Sequence, residues 1–363
     1  VSFSVTPLVS ASIDTGALRH NLQIIRARAP KSRVMAVIKA NAYGHGLISV
    51  ARALDTADAF AVARVDEGLA LRAAGIQNSV VLLEGIFDDD QLDAAAAANF
   101  EIVVHAAEQI ELLRATRKPH RFKVWLKLDT GMNRLGFKGA QYLAAHAALK
   151  ALPVVQGHVN LFTHLSSADV PGVATTEEQL NAFAAATRAL PGERCIENSA
   201  AIFAFPDAQA DWVRPGLLLY GVSPFAGSIG ADYALKPVMT LHSHIIASKR
   251  LEVGEHVGYG GDWIAARPTR LAIAAVGYGD GYPRSLPSGA PVLVNGERAE
   301  LAGRVSMDMI GIDVTDLQVE AKLGDPVVLW GAGLPVEEIA VWAQTIPYEL
   351  LCGISQRVAV RLT

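Results

Sequence analysis

Short apolar, β-branched runs alternate with alanine- and leucine-rich stretches along the first two-thirds of the chain. The runs fall at 34–38, 60–64, 80–83, 102–104, 122–128, 155–160, 194–196 and 217–220. Segments of helical composition lie between them at 67–74, 88–98, 106–117, 140–151 and 177–189. A further helix, 15–29, precedes the first run, because Leu18, Leu22 and Ile25 recur on one face at helical spacing. Eight strands alternating with helices predict a parallel sheet covered by helices on its outer face. A (β/α)8 TIM-type barrel takes about 250 residues, and the span 11–236 suits it. An open doubly wound sheet is the alternative. It ranks lower because no glycine-rich dinucleotide loop follows the first strand.

The pattern changes after Lys236-Pro237. Met239–Leu251 alternates without helical period, and Asn295-Gly296 between two apolar runs marks a two-residue hairpin. Strands at 309–314 and 327–330 and one helix at 336–343 complete a C-terminal, mostly β domain over 237–363. Residues 1–10 are expected to add a strand to it. No internal repeat is present.

Composition narrows the function classes. The 363 residues are 51% hydrophobic and 19% charged, with a net charge of −4. That balance builds a large core and gives no basic patch for neutralising phosphates, so a nucleic-acid partner is excluded. The two cysteines, Cys195 and Cys352, form neither a disulfide framework nor a metal-type cluster. No basic, apolar leader pattern opens the chain, and no apolar stretch is long enough to span a bilayer. The expectation is a cytoplasmic protein with no membrane partner.

Candidate chemistry sits at the C-terminal ends of the predicted strands, where this fold places its active sites. The first strand closes on Val37-Ile38-Lys39-Ala40-Asn41-Ala42-Tyr43-Gly44-His45-Gly46. A lysine there points its amine into the barrel mouth, where desolvation favours the neutral nucleophile that captures an aldehyde as a Schiff base. Taken alone, Lys39 reads equally as a lysine snorkelling at a strand end. The fifth strand ends near Lys127, Asp129 and Arg134, either a carboxylate clamp or a surface ion-pair cluster. The sixth is read through His158 to His164. The seventh ends at Asn198-Ser199, a phosphate-binding turn or a plain helix cap. The eighth is read as introduced by Arg214-Pro215-Gly216-Leu217. Polar groups at five strand ends favour one shared pocket. His158 and His164, six apart on an extended strand, would with Asp129 suggest a metal barrel; Lys39 stands where such a barrel needs further histidines. His242 and His244 read as a surface pair.

The segment from Val37 to Gly46 resembles the pyridoxal 5′-phosphate (PLP) attachment signature of bacterial alanine racemases. The similarity spans the whole chain through Leu128-Asp129-Thr130-Gly131-Met132, Val213-Arg214-Pro215-Gly216, Val257-Gly258-Tyr259-Gly260-Gly261, Val276-Gly277-Tyr278-Gly279-Asp280-Gly281-Tyr282 and Gly303-Arg304-Val305-Ser306-Met307-Asp308. It implies a PLP-dependent isomerase that interconverts L- and D-alanine, in a homodimer whose subunits share their active sites. It implies PLP held on Lys39, which also exchanges the Cα proton on the D side, while Tyr259 of the partner subunit works on the L side with support from His164 and Arg214. Arg214 would face the pyridine nitrogen and leave it unprotonated. Tyr43, Asn198, Ser199, Gly216, Leu217 and Tyr348 would bind the cofactor. Arg134, with Met307, Asp308 and Tyr278 of the partner subunit, would surround the substrate. Lys127 would be carbamylated and brace Arg134. The physiological direction would be D-alanine supply to peptidoglycan or D-alanine catabolism. Ser306 departs from an expected cysteine, and Gln356 from a tyrosine carried by some members. The competing classes are a PLP barrel decarboxylase, disfavoured because it normally opposes the pyridine nitrogen with a carboxylate, and a non-catalytic PLP-binding protein, disfavoured by the Tyr259 motif and the long C-terminal region. A metal-dependent hydrolase is more distant.

Overall fold

The structure, a computed structural model, describes residues 7–363. After strand β1 (Ser10–Ile13) the chain builds a closed, all-parallel barrel. Its staves are β2 (Arg33–Val37), β3 (Ala59–Val62), β4 (Ser79–Leu82), β5 (Glu101–Val104), β6 (Val124–Lys127), β7 (Asn160–Phe162), β8 (Arg194–Cys195) and β9 (Trp212–Val213). β9 pairs back onto β2 through Arg33↔Trp212 and Val34↔Val213. Side chains of β3 and β5 are buried at every position, because helices cover one face and the barrel interior the other.

Helix boundaries follow local capping chemistry. Asp14 accepts from the Ala17 N–H at 2.8 Å and starts Thr15–Arg28, which buries Leu18, Leu22 and Ile25 as the spacing predicts. Asp88 starts Asp89–Ala97 in the same way, accepting from Gln91 N–H at 2.8 Å.

Two strands lie elsewhere than the apolar runs suggested. The run 155–160 contributes only an isolated bridge, Phe122↔Val155, and the sixth stave is Asn160–Phe162. His158 is therefore exposed on the loop before the stave, and the shared strand face with His164 does not form. The run Leu217–Tyr220 is a buried 3-10 turn between Gly216 and the left-handed Gly221, and the eighth stave is the two-residue Trp212–Val213 upstream. Arg214 thus closes the eighth strand instead of introducing it. A buried apolar run carries no period that separates a strand from a tight helical turn.

The C-terminal sheet contains β10 (Met239–Leu251), β13 (Thr269–Ala274), β14 (Pro291–Val294), β15 (Glu297–Leu301), β16 (Ile310–Asp313), β17 (Pro326–Trp330) and β18 (Ala359–Leu362); β11 (His256–Val257) and β12 (Trp263–Ile264) form a small separate ribbon. The order is β13-β16-β15-β14-β17-β10-β1-β18, and β13 also pairs with β10. Asn295 and Gly296 both take positive φ, 52° and 82°, the twist a two-residue hairpin needs. β1 joins this sheet, antiparallel to β10 and parallel to β18. The strand expected within residues 1–10 is thus seen at Ser10–Ile13, and residues 1–6 lie outside the described residues. The apolar pattern did not announce β13, β18 or the helix Pro347–Cys352. That helix leans on the barrel mouth: a Cβ at Gly44 would lie 2.1 Å from the Leu351 carbonyl oxygen. Among the described residues, no helix is long and apolar enough to cross a membrane.

Candidate active site

Alternation along β2 puts Arg33, Met35 and Val37 on the inward face, and continuing the same step carries Lys39 to the C-terminal mouth. There it lines a cavity of about 810 Å³. Burial lowers the Lys39 pKa first, and the Arg134 guanidinium adds to the shift.

The backbone after Lys39 is unusual. Ala40, Asn41 and Ala42 each have φ 53° and Tyr43 has φ 51°, so four consecutive non-glycine residues form a left-handed turn. Each such residue costs about 1–2 kcal/mol against the right-handed form. The turn persists because its polar groups are over-determined. Ala42 N–H donates to the Ile38 carbonyl at 2.9 Å, and Leu47 N–H donates to Asn41 Oδ1 at 2.8 Å. His45 Nδ1 reaches the Tyr43 carbonyl at 2.8 Å, which makes it the protonated nitrogen of a neutral ring; burial takes the His45 pKa down to about 4. Tyr43 stacks on Tyr220 with ring centroids 4.8 Å apart and tilts against Tyr348 at 5.6 Å.

Opposite Lys39, Arg214 is held on all sides. Nη1 lies 2.9 Å from Cys195 Sγ, and Nη2 is 3.0 Å from the Thr163 carbonyl and 2.8 Å from His164 Nδ1. The guanidinium lies over the Phe162 ring, 4.2 Å from its centroid. Because arginine only donates, His164 Nδ1 must accept, and the ring proton is on Nε2. Burial, then the Arg214 charge, pushes the His164 pKa well down and keeps the ring neutral.

A third wall carries cations. Lys127 closes the inward face of β6, and burial followed by Arg214, Arg134 and Lys39 takes its pKa down to about 7. Among the described residues, no carboxylate lies at ion-pair distance from Lys39, Lys127 or Arg134. Asp129 instead pairs with Lys138 at 3.6 Å. Glu84 and Asp169 also line the cavity, but neither forms an ion pair with these groups, so the three cations remain available to an anionic ligand.

The fourth wall is small and polar. Ser199 Oγ accepts from the Gly216 N–H at 2.9 Å, leaving its own proton available to a ligand. A Cβ at Gly216 would lie 2.5 Å from the Tyr43 hydroxyl, so that hydroxyl reaches the backbone only because residue 216 is glycine. Asn198 caps the following short helix, accepting from Ala201 N–H at 3.1 Å, and Leu217 sits buried next to Gly216. Burial raises the Tyr348 pKa to about 12, so its hydroxyl keeps its proton as a donor.

The cavity therefore gathers Lys39, Tyr43, Lys127, Arg134, His164, Asn198, Ser199, Arg214, Gly216 and Tyr348. It does not gather Tyr259, Tyr278, Met307 or Asp308. Those four lie in the C-terminal part, where Tyr259 is 71% exposed and Met307 52%. They belong to neighbouring loops: Tyr278 N–H donates to the Ser306 carbonyl at 3.0 Å, and Arg357 bridges Asp308 at 2.7 Å and Asp280 at 3.4 Å. Sequence reading missed Phe162 and Cys195, which touch Arg214. Strand alternation held a signal for Phe162, two residues before His164 on the same face.

Comparison with known proteins agrees with this geometry. A family model described as "Alanine racemase, N-terminal domain" matches residues 13–224, and one described as "Alanine racemase, C-terminal domain" matches 238–362. An alanine racemase of Aeromonas hydrophila is 49% identical over 348 residues, covering 96% of this chain and 97% of that protein. The crystal structure of the biosynthetic alanine racemase from Pseudomonas aeruginosa superposes with a TM-score of 0.95 at 45% identity, covering 99% of this chain and 100% of that one. An alanine racemase of Bartonella henselae, solved with covalently bound pyridoxal phosphate, gives a TM-score of 0.87 at 29% identity over 99% of this chain and 100% of that one. The chain therefore belongs to the alanine racemase family and is an isomerase of that class.

Proposed function

We propose that the barrel mouth holds PLP on Lys39 and interconverts L- and D-alanine with two proton-carrying groups, Lys39 on the D side and Tyr259 of the partner subunit on the L side. The observation that carries this reading is the desolvated Lys39 amine in a cavity whose cations lack internal partners. The residues present fit the cofactor. Ser199 and Tyr43 hydroxyls, with the backbone at Gly216 and Leu217 and the Tyr348 hydroxyl, offer donors for a phosphate. Arg214, fixed by Cys195, Thr163 and His164, offers a donor that keeps its proton to a ring nitrogen.

When bound, PLP supplies the electron sink that makes the alanine Cα–H acidic. The chain supplies the proton traffic. Racemisation needs a proton removed from one face of Cα and one delivered to the other. Lys39 serves one face, and burial together with Arg134 favours its neutral form. Tyr259 does not line this cavity and stands exposed on the C-terminal part, free to enter the site of another subunit. A homodimer that inserts Tyr259, Tyr278, Met307 and Asp308 of the partner subunit completes the site. His164, neutral and tied to Arg214, supports the tyrosine. Arg134 binds the substrate carboxylate.

Lys127 is assigned as a carbamate. Its neutral amine attacks CO2, loses one N–H proton to solvent, and becomes an N-carboxylate beside Arg134; a pKa near 7 supplies the neutral form. The physiological setting of this reading is the cytoplasm, with D-alanine passing to peptidoglycan or being consumed as a nutrient.

The test uses L- and D-alanine in deuterated water with the PLP-loaded protein and its Tyr259→Phe variant. Wild type should exchange Cα hydrogen and invert both enantiomers. Tyr259→Phe should slow proton removal from L-alanine by about 10²–10⁴-fold and that from D-alanine much less. Equal, small effects in both directions would sink the two-base assignment.

A further inference from the structure

Three helices that follow barrel strands carry, within their first five residues, a Glu or Gln that reaches back to the loop after the neighbouring strand. Gln179 Nε2 donates to Thr130 Oγ1 at 3.1 Å, in the loop after β6, while its Oε1 accepts from Ser166 N–H at 2.9 Å. Gln109 Nε2 donates to the Glu84 carbonyl at 3.0 Å, in the loop after β4, while its Oε1 accepts from His105 N–H at 2.8 Å. In both, the loop presents an oxygen and the helix answers with an amide N–H. Glu67 breaks the pattern. Its Oε2 accepts from Ala63 N–H at 2.8 Å, as a helix-start carboxylate does, but its Oε1 accepts from Ala40 N–H at 2.6 Å. The loop after β2 presents a donor, and only a side chain with two acceptor oxygens satisfies both ends.

Ala40 is the residue after Lys39 and the first of the four left-handed positions. Its N–H, at the point where the chain enters the positive-φ turn, donates to Glu67 Oε1. We infer that Glu67 is a positioning residue: its carboxylate pins the left-handed turn and thereby aims the Lys39 amine for attack on the cofactor aldehyde. The inference rests on the assignment of Lys39 as the PLP lysine. A carboxylate serving only as a helix cap would satisfy the N–H groups of Ala63 and Arg64 and have no partner 27 residues upstream. The grip acts on the turn against a backbone preference that Ala40 and Asn41, both exposed at their side chains, do little to offset by packing.

The isosteric variant Glu67→Gln tests this role, because its amide must turn an N–H toward either Ala40 or Ala63; it also removes a charge that acts on Lys39, which the glycine rescue separates from the hydrogen bond. The glycine variant Ala40→Gly supplies the rescue: glycine adopts positive φ without penalty, and the methyl removed is exposed. Two measurements are made on full-length, cofactor-free protein. One is the rate at which added PLP becomes trapped on Lys39, read as a mass increase after borohydride reduction. The other is amide hydrogen exchange over residues 42–46. Glu67→Gln should slow trapping about tenfold, the size of one lost charge-assisted hydrogen bond, and speed exchange in the turn. Glu67→Gln with Ala40→Gly should recover most of both. Asp66→Asn, an exposed acid in the same helical turn, should change neither. Trapping and exchange at wild-type values in Glu67→Gln, or no recovery with Ala40→Gly, would overturn the role of Glu67. Failure of wild type to fix PLP on Lys39 would instead overturn the underlying assignment, and the exchange data would still report whether Glu67 holds the turn.

Discussion

Along the inward faces of three barrel strands the residues run Glu101, Val103, His105 on β5; Lys123, Trp125, Lys127 on β6; and Arg33, Met35, Val37, Lys39 on β2. Each begins and ends polar with an apolar middle, yet the two ends are finished differently. At the N-terminal end, Glu101 accepts from Ser79 Oγ at 2.6 Å and Trp125 Nε1 at 2.8 Å, with Lys123 at 3.5 Å. Arg33 pairs with Glu193, whose other oxygen accepts from Trp212 Nε1 at 2.7 Å, and the Arg33 guanidinium lies 4.2 Å from the Trp212 centroid. Charge there meets countercharge. At the C-terminal end Lys39, Lys127 and Arg134 face a cavity in which they form no ion pair, although Glu84 and Asp169 also line it, beside a backbone turn in a strained conformation. One end closes the barrel, and the other leaves charge and strain for a ligand to use.

The largest effect expected from this contrast is at Lys39. Lys39→Ala removes the cofactor's attachment point and one of the two proposed bases. PLP should no longer be trapped by borohydride, and racemisation should fall by at least about 10²–10⁴-fold, the range of a lost acid–base group. Thermal stability of the cofactor-free protein should hold or rise, since the lysine amine is desolvated without a partner. A large loss of stability instead would place Lys39 with the structural end of the strand.

How much of this was legible beforehand depends on the kind of signal. The barrel, the C-terminal sheet and the Asn295-Gly296 hairpin follow from local periodicity and turn chemistry. The positions of Lys39, Arg134 and Ser199 at strand ends followed as well. The short strands did not: Trp212–Val213 is two residues long and was masked by the stronger apolar run Leu217–Tyr220. His158 was misplaced for the same reason. The left-handed turn at Ala40–Tyr43 has no propensity signal, since neither alanine nor tyrosine favours positive φ; a tertiary contact from Glu67, with local hydrogen bonds to Ile38 and Leu47, holds it. Nor does periodicity say that Tyr259 stands apart from the cavity of its own chain. The motif resemblance carried that expectation.

A second perturbation tests the closed end. Glu101→Ala leaves the Trp125 indole N–H and the Ser79 hydroxyl without their acceptor near the barrel floor. Stability should drop by about 2–4 kcal/mol, measured by urea unfolding of the cofactor-free protein. The kcat per folded, PLP-loaded molecule should stay within about twofold of wild type, because the floor lies at the far end of the strands from the site. A tenfold fall in kcat with unchanged stability would mean the two ends are not separable.

The smallest expected effect concerns Lys127, and its sign is set by linkage. Its pKa is near 7 in the folded chain against an ordinary 10.5. Between those values the unfolded chain carries a proton that the folded one lacks, so stability rises with pH across that window and is lowest below about 7. Lys127→Met fills similar volume without charge. In CO2-depleted buffer, the cofactor-free variant should be more stable than wild type at pH 6 by about 1–4 kcal/mol, and the gap should narrow steadily toward pH 10. Bicarbonate should narrow it at neutral pH as well, because the CO2 in equilibrium with it adds to the neutral fraction of the wild-type amine, which releases a proton and becomes a carbamate that pairs with Arg134. A gap that is independent of both pH and bicarbonate would show that Lys127 is already neutralised within the fold, and would move it from the ligand-facing group to the structural one.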